Sequence, residues 1–448
     1  MNPQPGAPES RPELGRQIGL LTAASVVVAN VIGSGIFTTS GFIARDLGDP
    51  AALLLVWAVG GILALAGALS YSELGAAMPE AGGEYVYLRE AYSPLVGFLS
   101  GWMSFFIGFS GAIGSTALLF SHYLAHFIPS VEPPAPAGIA LSVGLVWVLT
   151  LVHVAGVGPG GAVQRILTIA KVAAIVILIV AGFAFGTGDP GNFSSTGRAA
   201  WGLFPVSLVF VMFSYSGWNA AAYLAGEIRN PGRNLPLALI LGTLVVTALY
   251  LGLNAFYVYA LPIPEMAGVQ AIAEKTSVTA MGEVAAHMVA SVVMLAILGS
   301  ISAMVLAGPR VYFAMSRDGV FPRMFAAVDP RFGTPARAIA LQSAWTTVLI
   351  LVASLYPNAL ENLIAYTGFA LVLFSALAVA AVFVLRVRRP DLPRPYRVPG
   401  YPVVPALFVA AALWIAVFSV PDRPSQALLG LLTIAAGVPF YLLARRRR

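Results

Sequence analysis

Two glycines flank a serine near the middle of the first long apolar run, Ile18 to Ile43, in the stretch Val28-Ala-Asn-Val-Ile-Gly-Ser-Gly-Ile-Phe-Thr-Thr39. A glycine costs a helix about 1 kcal/mol relative to alanine, so the pair marks a weak point. Backbone opened inside a bilayer is tolerated only where protein or a water-filled cavity receives its N–H and C=O groups. Gly33-Ser34-Gly35 thus read as a break that hands backbone groups to a ligand. Small residues also let membrane helices approach closely, and the triplet alone fits such a packing face equally well.

A second cluster of small and polar residues, Phe213-Ser-Tyr-Ser-Gly-Trp-Asn219, interrupts the sixth apolar run. A half-helix beginning after Gly33 has free N–H groups and a positive dipole end, which suit a carboxylate. Carbonyls ending the preceding half-helices suit an ammonium or a metal cation. An α-amino acid carries both groups and would satisfy both breaks at once.

Few charges lie at mid-depth. Lys171, in Ile166-Leu-Thr-Ile-Ala-Lys171, is the clear one. A basic residue at the bilayer centre costs on the order of 3 kcal/mol on insertion scales. Lys171 lies about two turns, roughly 9 Å, inside the cytoplasmic end of its span, so snorkelling is one reading. The other is that its ammonium stands where a sodium-coupled transporter would hold a cation. Glu73 and Glu227, at cytoplasmic ends of spans, read as capping or loop-tethering residues, and His122, His126, His153 and His287 lack any motif. No acid lies in mid-span among the first, third, sixth, eighth or tenth segments, which favours neutral substrates over cationic ones.

These residues need a membrane scaffold. Of 448 residues, 58% are apolar and 10% charged, against about 25% charged in soluble proteins. Twelve candidate spans follow: 18–43, 51–77, 94–128, 137–156, 163–186, 201–226, 235–260, 280–315, 338–356, 359–386, 403–420 and 426–444. The polar, Pro-rich start and the length of the first run argue against a signal peptide. With both termini inside, 20 Arg fall on cytoplasmic segments and 4 basic residues (Arg45, Arg198, Lys275, Arg423) outside, Lys171 being within a span. The positive-inside rule therefore sets both termini in the cytoplasm. The basic balance is a topology signal, not a nucleic-acid footprint.

With no cysteine, disulfides, thiolate metal sites and a cysteine nucleophile are excluded. A membrane enzyme would need paired acids, histidines or a metal cluster within the spans, and a channel a repeated filter or charge ring; neither pattern is visible. No enzyme activity, metal or cofactor is expected. Glu80 to Tyr92 mixes aromatics and charges at helical spacing, as in a helix lying along the interface. Prolines from Pro390 to Pro405 read as an extended linker that sets the last two spans apart.

Gly33 and Gly217 stand 184 residues apart, and each break opens a block of five spans. Five is odd, so the blocks insert in opposite orientations; matched interruptions in inverted halves point to a transporter's substrate site. The expected division is a tail (1–17), a first five-helix repeat (18–200), an inverted second repeat (201–388), a Pro/Arg-rich cytoplasmic linker (389–402) and two further helices with a basic tail (403–448).

Several motifs resemble the amino acid–polyamine–organocation superfamily of transporters: Gly33-Ser-Gly-Ile-Phe37, Tyr71-Ser-Glu-Leu-Gly-Ala-Ala-Met-Pro-Glu-Ala-Gly-Gly-Glu-Tyr85 and Gly97-Phe-Leu-Ser-Gly-Trp102. Phe213-Ser-Tyr-Ser-Gly-Trp-Asn219, Gly226-Glu-Ile-Arg-Asn-Pro-Gly-Arg-Asn-Leu-Pro236 and Pro309-Arg-Val-Tyr-Phe-Ala-Met-Ser-Arg-Asp-Gly319 look like its L-type amino acid transporter branch. The resemblance covers nearly the whole chain. It implies an all-α LeuT-like fold of two inverted five-helix repeats plus two helices, with a midplane site between spans one and six.

By position, the resemblance implies that Ser34 and Gly35 donate N–H groups to the substrate carboxylate, while the Val31, Phe213 and Ser216 carbonyls accept from its α-ammonium. Gly33 and Gly217 open the helices, Phe213 closes as an outer gate, and Asn219 lines the pocket and braces the unwound helix. Lys171 matches the lysine that replaces a sodium ion in sodium-independent members, and Tyr250 the tyrosine beside it. Ala220-Ala221-Ala222-Tyr223 departs from the bulkier, more polar residues of many L-type members, which leaves substrate preference open. The disulfide that ties animal members to a glycoprotein subunit cannot form here. The expected activity is alternating-access transport of neutral L-amino acids across the cell membrane, by exchange or proton symport; the rival is a carrier of cationic amino acids or polyamines.

Overall fold

The computed structural model describes residues 14–131, 133, 135–195, 197–355, 359–422 and 424–446; for 359–371, 419–422, 424–427, 429 and 446 only the backbone is described. Residues 1–13 of the predicted tail, Arg423 and the last two arginines lie outside that range. The described residues are helical, with no strand and one isolated bridge between Ile18 and Ile228.

The first predicted span is two helices, α1 (Leu20–Val31) and α2 (Gly35–Leu47), bent by 41° at the glycine pair. Gly48, at φ 66°, ends α2, and the Asp49 side chain caps the Ala52 N–H as Pro50 opens α3 (Pro50–Ala77). Proline suits that first position because its missing N–H would be unpaired anyway. Ser93 and Pro94 repeat the device two helices on, after α4 (Glu84–Ala91), at the start of α5 (Pro94–Met103). A π-helical turn, Ser104–Phe109, joins α5 to α6 (Ser110–Leu124). Spans four and five are α7 (Pro136–Val154) and α8 (Val157–Phe185).

The sixth predicted span breaks as well. Its first half is α9 (Phe204–Ser214); after the turn at 215–219 the chain continues as a 3-10 helix, Ala220–Glu227. Then come α10 (Pro231–Ala260), the short α11 (Ile263–Met266) and α12 (Ile272–Met281), and α13 (Val284–Ala307) running into α14 (Pro309–Arg317). The last are α15 (Ala336–Ala353), α16 (Ala359–Arg388), α17 (Val403–Asp422) and α18 (Pro424–Arg446). Among the described residues, seven helices are long and apolar enough to cross a bilayer, and eight with α1 and α2 taken as one span. The other four of the twelve expected spans have helices at the expected positions, three of them shorter apolar helices.

The broken helices sit at the centre. α1 packs against α8, α10 and α13, while α9 packs against α2 and α3. The ends of the two broken spans that lie away from the breaks are tied together: Ile18 N–H donates to Glu227 O at 2.8 Å and Arg229 N–H to Ile18 O at 2.9 Å.

Two expectations need correction. α4 does not lie along an interface: Glu84, Tyr85, Val86, Tyr87, Leu88 and Ala91 are buried against α5, α14 and α16, because its apolar residues cover more than one face. Nor does the proline-rich linker hold the last helices apart, since α17 packs on α3, α9 and α16. The linker is fastened instead. Glu73 binds Arg386 at 2.6 and 2.8 Å, stands 3.4 Å from Arg394 Nε and accepts the Val398 N–H at 2.7 Å. This is the tethering expected of Glu73. Glu227 forms a wholly buried bidentate pair with Arg310, at 2.7 and 3.0 Å.

Candidate functional site

α1 stops at Val31 because the chain turns: Gly33 N–H donates back to Val31 O at 2.8 Å instead of continuing the helix. α2 starts at Gly35, and among the described residues the N–H groups of Ser34 and Gly35 make no hydrogen bond. They are the orphan donors that every helix N-terminus leaves.

The second break closes on the first. A Cβ at Gly35 would stand 2.9 Å from Ser214 Cα, so only glycine lets α2 approach the end of α9. Gly217 takes φ 98°, in the left-handed region, and a Cβ there would collide with the Asn30 side chain. Thr39 and Ser214 hydroxyls join the halves at 3.0 Å. The glycines are thus both breaks and packing contacts, so the two readings of the triplet were not exclusive. Gly33 differs: the nearest atom to its Cβ would be Ser300 Oγ, at an ordinary 3.5 Å.

A cavity of about 150 Å³ lies between the breaks, and Val31, Gly33, Ser34, Gly35, Phe213, Ser216, Gly217 and Asn219 all line it. Sequence reasoning missed others that line it too: Asn30, Glu84, Ser100, Ser104, Thr116 and Ser300, with Phe408 and Ala411 of α17. The only sequence signal among these was Asn30, an amide three residues before Gly33 in an apolar run. Ser104 lies on the π-helical turn, a distortion common at functional sites.

Lys171 and Tyr250 stand behind the cavity. Lys171 is fully buried, and its Nζ donates to Ala29 O at 3.1 Å and Ile32 O at 2.9 Å, so it does not snorkel. Those carbonyls lie where α1 runs out of helical donors, so the ammonium meets the negative end of α1. The hydroxyl of Thr168, one turn before Lys171, lies 2.8 Å from Gln164 O and 3.1 Å from Ser25 O on the same face. Tyr250 Oη lies 2.8 Å from Val31 O and 2.9 Å from Ser214 O.

Val31 O receives Gly33 N–H and shares the single Tyr250 hydroxyl proton with Ser214 O, and Phe213 O receives Ser216 N–H at 3.0 Å. Among the described residues the Ser216 carbonyl accepts nothing, and Asn30 Oδ1 is buried without a partner. Ser216 O and Asn30 Oδ1 are therefore two unoccupied acceptors on residues that line the cavity.

A carboxylate also reaches this cavity from outside the spans. Glu84 opens α4, where Gly82 N–H donates to Tyr223 O at 3.1 Å and binds the loop to the unwound second break. Gly83 makes that approach possible: at φ 49°, its Cβ would lie 3.0 Å from the Tyr223 nitrogen. Tyr223 Oη donates to Glu84 Oε2 at 3.2 Å and accepts from Asn219 Nδ2 at 3.2 Å. Burial pushes the Glu84 carboxyl up to about 7, and the Tyr71 and Tyr223 hydroxyls hold it down only in part. No acid lies in mid-span of the first, third, sixth, eighth or tenth segments, but Glu84 brings a carboxylate to the cavity from the loop between the second and third.

A family model for amino acid permeases matches residues 18–436. The serine/threonine exchanger SteT of Bacillus subtilis is 32% identical over 441 residues, covering 97% of this chain and 98% of that protein. The large neutral amino acids transporter small subunit 2 of Mus musculus is 32% identical over 439 residues, 96% of this chain and 81% of its own length. The b(0,+)-type amino acid transporter 1 of Homo sapiens is 31% identical over 436 residues, 96% of this chain and 88% of its own.

Proposed function

The chain belongs to the amino acid permease family, within the amino acid–polyamine–organocation superfamily, and is a multi-pass membrane transporter; from that premise we propose that it moves small neutral L-amino acids by sodium-independent alternating access. The observation that carries this reading is the pair of unpaired N–H groups at Ser34 and Gly35 on a cavity shared with the second break. The substrate carboxylate takes these donors. Its ammonium takes Ser216 O and Asn30 Oδ1, in place of Val31 O.

Size supports small substrates. The cavity of about 150 Å³ falls below the ~300 Å³ at which drug-sized ligand pockets begin. Its hydroxyls at Ser34, Ser100, Ser104, Thr116 and Ser300 suit a serine- or threonine-like side chain. Phe213 closes over the substrate, Asn219 braces the unwound turn, and Lys171 occupies the place of a coupling cation. The two five-helix blocks, 18–200 and 201–388, rock about the site. The protein sits in the cell membrane with both termini cytoplasmic and works without a disulfide-linked partner, having no cysteine.

A cationic substrate is the second reading, favoured by the presence of Glu84 at the cavity. Reconstitution separates them. Vesicles with or without internal amino acids, under proton or sodium gradients, should take up labelled L-serine, competed by L-threonine and L-alanine. Stronger competition by L-lysine would establish the cationic reading, and no uptake of any amino acid would overturn both.

A further inference from the structure

Three other buried or half-buried carboxylates near the cytoplasmic side each have a cation beside them: Glu73 has Arg386, Glu227 has Arg310 and Asp318 has Arg89. Glu84 has none among the described residues. Its partners are Tyr223, from the unwound second break, and Tyr71 of α3, whose hydroxyl faces it without making a hydrogen bond of its own. Tyr87, on its own helix, adds another neutral hydroxyl that is buried and unpartnered. Among the described residues, the cations on the other elements packed on α4 are engaged elsewhere. α5 has no titratable side chain; Arg310 of α14 is taken by Glu227, and Arg317 lies over Phe313. On α16, Arg386 is taken by Glu73 and Arg388 by Ala91 O.

An ionised carboxylate in such surroundings lacks the counter-charge that burial requires, whereas the neutral acid keeps its hydrogen bonds. Two further facts link it to the substrate. Glu84 lines the same cavity as Ser34 and Gly35, and the chain Glu84–Tyr223–Asn219 runs through hydrogen bonds of 3.2 Å into the unwound turn. We propose that Glu84 is the proton-binding site of a proton–amino acid symport, taking up one proton with each zwitterion.

This rests on the transport reading above. In the outward-facing state a hydronium ion gives its proton to a Glu84 carboxylate oxygen, forming an O–H bond and leaving water. When the inner side opens, cytoplasmic water takes the proton back, and the carboxylate is restored. A neutral amino acid then carries one positive charge inward per cycle. Tyr223 follows the charge, donating to the carboxylate and free to accept from the acid, so protonation alters the bracing of Asn219.

The test uses reconstituted protein, labelled L-serine as probe and a pH-sensitive dye inside the vesicles. Wild type should take up protons with serine, and gradient-driven uptake should rise about tenfold from about pH 8 to about pH 6, as a group near 7 protonates. In Glu84→Gln the ratio of gradient-driven uptake to serine–serine exchange should collapse and its pH dependence flatten. Glu84→Asp should restore a pH-dependent ratio. If Glu84→Gln does not fold, Tyr223→Phe takes its place and should shift the pH midpoint upward, because the hydroxyl that steadies the carboxylate is gone. Serine uptake by the wild type without proton entry would overturn the proton site while leaving transport standing. So would a Glu84→Gln protein that still accumulates serine on a proton gradient. Absence of any serine flux in the wild type would instead sink the small neutral amino acid reading on which the proposal rests.

Discussion

The Tyr250 hydroxyl lies 2.8 Å from the carbonyl of Val31 and 2.9 Å from that of Ser214, so one side chain spans the open ends of both broken helices. A phenol has a single proton, so it donates to one carbonyl at a time and can pass between them as the helices shift. Tyr250→Phe should lower the exchange rate about fivefold, the worth of one ordinary hydrogen bond near 1 kcal/mol. Expression should stay normal. An unchanged initial rate in vesicles would remove Tyr250 from the coupling of the two breaks.

The glycines should not behave alike. Gly35→Leu should abolish uptake while the protein still inserts, because even its Cβ would be pressed against Ser214 Cα at 2.9 Å. Gly33→Ala should retain transport, its Cβ meeting only Ser300 Oγ at 3.5 Å. Uptake measured beside surface-labelled protein checks both. Normal transport by Gly35→Leu would refute the site assignment.

Lys171→Ala should cut turnover at least about tenfold, since it leaves the Ala29 and Ile32 carbonyls buried without a donor at about 1–3 kcal/mol each. Sodium should not rescue it, because removing an ammonium does not build the oxygen cage a sodium ion needs. Counterflow rates with and without sodium decide the matter; wild-type rates across the pH range would leave Lys171 a structural residue.

The Glu227–Arg310 pair is a stability element beneath the second break. Arg310→Met leaves a wholly buried carboxylate alone and should cost about 3–5 kcal/mol, seen as a lower melting point in detergent. Adding Glu227→Gln should recover much of that loss, because the residual charge disappears. If the single variant melts like wild type, the pair contributes nothing measurable.

Much was legible because membrane insertion writes itself into composition. Apolar length marks a span, arginine placement marks a side, and a glycine pair in lipid marks an opened helix. The eight residues expected to line the site share one cavity for that reason. Glu84, by contrast, is separated from Ser34 by a whole span and belongs to a loop helix that looked interfacial.

The sequence by itself determined that this chain is a helical membrane protein, where two of its helices break and that those breaks free backbone donors and acceptors. Those properties depend on local chemistry: hydropathy, dipole direction and the absence of a side chain. Tertiary structure alone decided which unpaired groups stay available. Folding brought Tyr250 onto Val31 and Lys171 onto Ala29 and Ile32, closing carbonyls that looked open. It left Asn30 Oδ1 and Ser216 O without a donor beside the cavity, and it carried a carboxylate in from a loop with no cation paired to it among the described residues. Hydrogen bonds and buried charges are settled by whichever group arrives within about 3 Å, and distance along the chain does not predict that arrival.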